Sequence, residues 1–108
     1  MVLTLVDKAM EQDYIVPDMP VVFVGRGTGN TQQKDKVTII QNAVNLCISR
    51  QHCVIHNVNG NYSIEDSKSR FGTYVNEEQI KGDKRAILEN GTKLKLGEYE
   101  LEVKVEGA

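Results

Sequence analysis

The chain has 108 residues, the ordinary size for one domain whose hydrophobic core closes without metal or disulfide. Hydrophobic residues make up 40%, charged residues 26%, and the net charge is -2. There is no basic surplus to neutralise a nucleic-acid backbone, and any bound anion must be held by a few local groups. No apolar run approaches the ~20 residues that cross a bilayer, and Met1-Val2-Leu3-Thr4-Leu5-Val6-Asp7 lacks the basic segment and cleavage site of an export signal.

In chain order, the first segment is open to two readings. Leu3 to Asp7 reads as a strand, yet Leu5, Val6, Ala9 and Met10 also share a helical face, so residues 4–13 fit a short helix as well. Strands are expected at Tyr14 to Val16 and Val21 to Gly25. Gly27-Thr28-Gly29-Asn30-Thr31-Gln32-Gln33-Lys34-Asp35-Lys36 has nothing apolar to bury and is expected to be an exposed, mobile loop. Further strands are expected at Val37 to Gln41, Cys53 to Asn57, Tyr62 to Asp66, Thr73 to Val75 and Arg85 to Leu88. Asn59-Gly60 and Asn90-Gly91 mark turns where positive φ is tolerated and strands reverse. Lys93 to Leu96 alternates, Gly97 follows, and Tyr99, Leu101, Val103 and Val105 then face away from Glu98, Glu100, Glu102, Lys104 and Glu106. That pattern predicts a hairpin ending in a half-buried strand.

Many short strands at close spacing predict an all-β sandwich. Neither an internal repeat nor a second domain is visible, so residues 1–108 read as one unit. Cys47 and Cys53 have no histidines at zinc-finger spacing and read as small, partly buried thiols of a reducing compartment. His56 is expected to be an exposed strand residue.

Three polar clusters adjoin apolar strands: Gly25-Arg26, Ile48-Ser49-Arg50-Gln51-His52, and Ser69-Arg70-Phe71-Gly72-Thr73-Tyr74-Val75-Asn76. Loop tips at one end of a sandwich form a binding edge. In order and approximate spacing the clusters resemble the signature of the forkhead-associated (FHA) family: Gly-Arg, then Ser-Arg-x-His, then Ser-x-x-Gly-Thr-x-Val-Asn. The resemblance runs from about Val21 to about Val105. Gly72-Thr73-Tyr74-Val75-Asn76-Glu77-Glu78 is similar to a stretch of the DNA-repair protein nibrin.

The resemblance implies a sandwich of two mostly antiparallel sheets with its binding loops at one end. It implies a phosphothreonine-dependent interaction module, the N-terminal part of a longer nuclear protein of DNA-damage or cell-cycle signalling. Phosphate carries close to two negative charges and several acceptor oxygens, so a guanidinium fork, a hydroxyl and N–H donors must converge on it. By resemblance, Arg26 holds the phosphate or the adjacent peptide backbone, and Ser49 and Arg50 bind phosphate oxygens. Asn76 either bonds peptide main chain or orders its loop, His52 ties the recognition loop to the neighbouring turn, and Gly25, Gly72 and Thr73 support the site. A Cβ at Gly72 is expected to clash.

Two departures from the family pattern stand out. The connection after Arg26 is long, and Arg70-Phe71 replaces the Thr/Ser-Asn pair that many peptide-binding members carry before Gly-Thr. Phe71 cannot replace an amide, whereas Arg70 adds a positive charge to the phosphopeptide-binding set. The alternative function is constitutive homodimerisation with a degenerate phosphate pocket. No serine, cysteine or carboxylate is accompanied by a base and an orienting partner, so the residues predict no enzyme. They also predict no cofactor, metal, direct nucleic-acid or membrane partner.

Overall fold

The structure, a computed structural model, describes residues 2–26, 36–39, 48, 49 and 51–107. Period-two alternation decides the architecture. Leu3 and Leu5 point inward from β1 (Val2–Asp7), and Val22 and Val24 from β3 (Val21–Arg26). Leu94 and Leu96 do so from β10 (Lys93–Leu96), and Leu101 and Val103 from β11 (Tyr99–Glu106). The remaining strands are β2 (Gln12–Ile15), β4 (Lys36–Ile39), β5 (Cys53–Val58), β6 (Asn61–Asp66), β7 (Thr73–Val75), β8 (Glu78–Ile80) and β9 (Arg85–Ile87). None of the described residues is helical.

The strands form a six-stranded sheet, β2-β1-β11-β10-β7-β8, and a five-stranded sheet, β4-β3-β5-β6-β9. Every pairing is antiparallel except β3 with β4. The two inner faces enclose one core, in which Leu3, Leu5, Ile55, Ile64, Leu94 and Leu96 are essentially without solvent contact. Each such side chain stabilises the sandwich by about 1.5–3 kcal/mol.

The open reading of residues 4–13 resolves into a hairpin. Leu5 pairs with Tyr14, and the turn between them is held by Met10 N–H donating to Asp7 Oδ1 at 3.1 Å. A helix would have buried Met10, which lies exposed in that turn, whereas Leu3 and Leu5 satisfy the strand period. Asn59 (φ 54°) and Gly60 (φ 83°) make the expected two-residue reversal between β5 and β6. Asn90-Gly91 does something else. Gly91 (φ 90°) does not reverse a hairpin but carries the chain from β9 in one sheet to β10 in the other. Strand β8 was unexpected. It follows Asn76 (φ 49°) and Glu77 (φ 73°), a tight reversal pairing Val75 with Glu78, and it buries Ile80. Lys36 belongs to β4 rather than to the preceding loop; the rest of that stretch, the end of the strand expected through Gln41, and Cys47 lie outside the described residues.

Candidate functional site

Strand direction gathers the polar clusters. β3 runs antiparallel to β5, with Val24 opposite Cys53, and β5 runs antiparallel to β6, with Cys53 opposite Asp66. The end of β3, the start of β5 and the end of β6 therefore lie side by side. Arg26, Ser49, His52 and the 67–72 segment emerge there together.

Ser49 is the junction. Its carbonyl accepts the main-chain N–H of Arg26 at 2.9 Å, and its Oγ accepts the main-chain N–H of Arg70 at 3.0 Å. Its own N–H donates to Nδ1 of His52 at 3.0 Å. With Oγ already accepting, the hydroxyl proton points to no described acceptor and is available to donate to an incoming oxygen. Two arginines are thus anchored through their backbones to opposite ends of one half-buried serine.

His52 is completely buried. Because Nδ1 accepts from Ser49, the ring proton sits on Nε2, which donates to the Gly72 carbonyl at 2.8 Å. One imidazole thereby ties the loop before β5 to the loop before β7. Its main chain does likewise, with its N–H on the Val24 carbonyl at 2.9 Å and its carbonyl accepting from Ser67 at 3.0 Å. Burial lowers the His52 pKa below the ordinary imidazole value, against the opposing pull of the Gly72 carbonyl and the Asp66 charge.

Gly72 stands at φ 90°, and a Cβ there would lie 2.7 Å from Gln79 Nε2, as the sequence predicts for this turn. Its carbonyl also accepts from Gly97 N–H at 2.8 Å. Thr73, fully buried, donates to Asp66 Oδ1 at 2.7 Å. Asp66 additionally accepts from Ser69 N–H at 3.1 Å and from the Ser69 hydroxyl, while Ser69 Oγ accepts from Gly72 N–H at 3.0 Å. Asp66 thus organises the third loop, a role that sequence reasoning missed. The signal was present as an Asp at a strand end with Ser three residues on, a side-chain-stapled turn.

The other site residues divide. Arg70 is exposed, with its guanidinium 5.4 Å from the ring centre of Phe71, itself 49% exposed. Gly25 is buried within β3, opposite Thr38. Asn76 is not brought to the cluster. It lies at the other end of β7, about 10 Å along the strand from Thr73. There its N–H donates to the Lys93 carbonyl at 2.8 Å and its Oδ1 accepts Lys93 N–H at 2.9 Å. Arg50 lies outside the described residues. His56 is half-buried rather than exposed, with Nε2 3.2 Å from Glu65 Oε1. The Cys53 thiol is free and buried, and burial, reinforced by the Asp66 charge, pushes its pKa far up.

A β-sandwich whose loops converge on a hydroxyl flanked by two arginines is a binding module. The chain belongs to the FHA-domain family, whose model matches residues 22–97. It is 36% identical over 87 residues to the E3 ubiquitin-protein ligase rnf8-A of Xenopus laevis, a match covering 80% of this chain and 15% of that protein. The chain spans less than a fifth of the length of the curated relatives it matches. Among solved structures, one described as a structural and functional analysis of phosphothreonine-dependent FHA domain interactions covers all of both chains, with a TM-score of 0.76 and 21% identity. Mycobacterium tuberculosis EmbR, in complex with a low-affinity phosphopeptide, aligns with a TM-score of 0.75 and 25% identity over 99% of this chain and 25% of its own.

Proposed function

We propose that this domain reads phosphothreonine on a partner protein, with Ser49 at the centre of the pocket. The observation that carries the reading is the pair of main-chain bonds that fixes Arg26 and Arg70 on either side of Ser49. Both arginine backbones are tied to Ser49, which puts their side chains within reach of a phosphate at Ser49 Oγ–H, and Arg50, the next residue in the chain, brings a third guanidinium to the set. Gly25, His52, Gly72 and Thr73 set the loop positions without touching ligand, and Asn76 orders the β7–β8 turn at the far end of β7. In this reading the chain acts by binding alone, without catalysis, and the partner is a protein rather than nucleic acid or membrane. The likeness of Gly72 to Glu78 to the nibrin stretch supports a place in nuclear DNA-damage or cell-cycle signalling, within a longer protein.

The test is titration of a degenerate phosphothreonine library and its unphosphorylated twin against the wild-type domain and Arg50→Ala at fixed moderate salt. Micromolar binding that requires both phosphate and Arg50 is the expected result. Loss of one charged hydrogen bond costs on the order of 1.5–3 kcal/mol, roughly tenfold to a hundredfold in affinity. Absence of binding by the folded wild type would refute the reading and leave homodimerisation as the function to pursue by sedimentation.

A further inference from the structure

The six-stranded sheet carries a groove of about 470 Å³ over β10 and β11, on the face turned away from the core. One end is the β10–β11 turn, where Gly97 N–H donates to the Gly72 carbonyl at 2.8 Å. The other is the β7–β8 turn, where Asn76 N–H donates to the Lys93 carbonyl at 2.8 Å. Between them β10 is four residues long, about 13 Å of extended chain. Val6 of β1 and Ala9 of the turn after it give the groove an apolar side. Its charges are unevenly matched. Lys8 pairs with Glu102 at 2.5 Å, and that hydrogen bond and charge, with a further pull from Lys93, hold the Glu102 carboxyl below its ordinary range. Lys95 lies 5.9 Å from the ring centre of Tyr74. Glu77, Glu98 and Glu100 line the same groove, and none of the three pairs with a cation among the described residues. The cations of the groove are thus engaged, and these carboxylates are free.

We propose that this groove docks an extended basic segment of a partner protein, with alternate lysine or arginine side chains meeting Glu98 and Glu100. Glu98 and Glu100 stand two residues apart, the period at which the side chains of an extended segment return to one side. The aliphatic stems of the incoming cations cover Val6 and Ala9, while their charged heads stay at the carboxylates. Charge complementarity selects this occupant over others. An acidic or phosphorylated segment would be repelled by the free carboxylates, and a wholly apolar one would desolvate them without giving them partners. The surface therefore takes the opposite chemistry from the Ser49 loops and needs no phosphate, so the inference stands apart from the phosphothreonine reading. All three carboxylates are exposed, and binding here is weak and sensitive to salt.

The experiment follows the backbone amide shifts of the isotope-labelled domain as an unphosphorylated peptide of alternating lysine and valine is added. Twins of that peptide carry glutamine or glutamate in place of lysine. The expected result is a saturable change at Val6, Ala9 and Glu98 to Glu102 with the lysine peptide, and none with either twin. Glu98→Gln and Glu100→Gln should each weaken binding by roughly twofold to fivefold, the range of an exposed ion pair. Glu89→Gln, the same loss of charge outside the groove, should leave it unchanged. Raising the salt from about 0.1 M to about 1 M, which shortens the screening length from ~10 Å to ~3 Å, should weaken it further. Absence of saturable change, or changes spread over the surface, overturns the proposal. So does an equal loss in Glu89→Gln, which would reduce the effect to net charge, or equal binding of the glutamine twin, which would leave the carboxylates without a part. Shifts at the same residues that grow with protein concentration before any peptide is added would make a second copy the occupant and overturn it as well. No readout uses a phosphopeptide, so failure here leaves the phosphothreonine reading standing, and failure of that reading leaves this one.

Discussion

Replacing His52 by Leu keeps roughly the buried volume and removes both ring hydrogen bonds. Ser49 N–H then loses its acceptor in a half-buried position, at a cost of about 1–3 kcal/mol. The Gly72 carbonyl loses one of two donors but keeps Gly97 N–H, so its share is smaller, about 0.5–1.5 kcal/mol. The expected destabilisation is about 1.5–4.5 kcal/mol in total, a large fraction of the stability of a domain this size. It should appear in urea denaturation as a lower midpoint at unchanged slope, and in melting as a fall of roughly 4–8 °C for each kcal/mol. Phosphopeptide affinity should fall alongside, since the same ring holds Ser49 against the Gly72 turn. A His52→Leu domain as stable as wild type within ~0.5 kcal/mol, smaller than an ordinary mutational effect, would refute the claim that this imidazole staples the loops.

The same ring gives a pH dependence. Its folded pKa lies below the unfolded value of about 6.5, so between the two the unfolded chain binds a proton that the folded one refuses. Its contribution is complete above about pH 6.5 and is lost as pH falls towards the folded value; urea midpoints of wild type should drop across that window while those of His52→Leu stay flatter. Gly72→Ala forces an L residue to φ 90° against Gln79 and should cost about 1–3 kcal/mol, of which adding Gln79→Ala recovers only the steric part. Asn76→Ala should lose about 1–2 kcal/mol in denaturation, through the bond to Lys93 and the positive φ, with phosphopeptide affinity unchanged within about twofold.

Elements that speak through side-chain period were legible in the sequence. The alternation from Lys93 to Glu106 and the Asn59-Gly60 reversal specify hairpins by themselves, because each turn needs only local chemistry. The segment around Leu5 was ambiguous because Val6, Ala9 and Met10 add helical spacing, and only pairing with Tyr14 selects the strand. β8 was hidden because its reversal uses Asn76-Glu77 rather than a glycine and because one residue, Ile80, carries its burial. Asn90-Gly91 signals a turn but not the sheet to which the next strand returns, which is tertiary information. At the site, the motif spacing pointed to Ser49, His52 and Gly72. Asp66 was missed although Ser69 stands three residues on, because its third donor, Thr73, lies beyond the turn and spacing alone does not show three donors converging on one carboxylate.

The pairing of β1 with β11 sets the order in which the molecule can assemble. The five-stranded sheet uses only residues 21–87, so its hairpins can form while the rest of the chain is still being synthesised. The six-stranded sheet cannot, because Val2 must wait for Glu106 and Val6 for Glu102. Until β11 leaves the ribosome, β1 has only β2 beside it, and the six-stranded sheet stays open between β1 and β10. Such long-range closure makes folding slow relative to helical domains of similar length, and the pairing of β11 with β1 is the step that commits the domain to its native state.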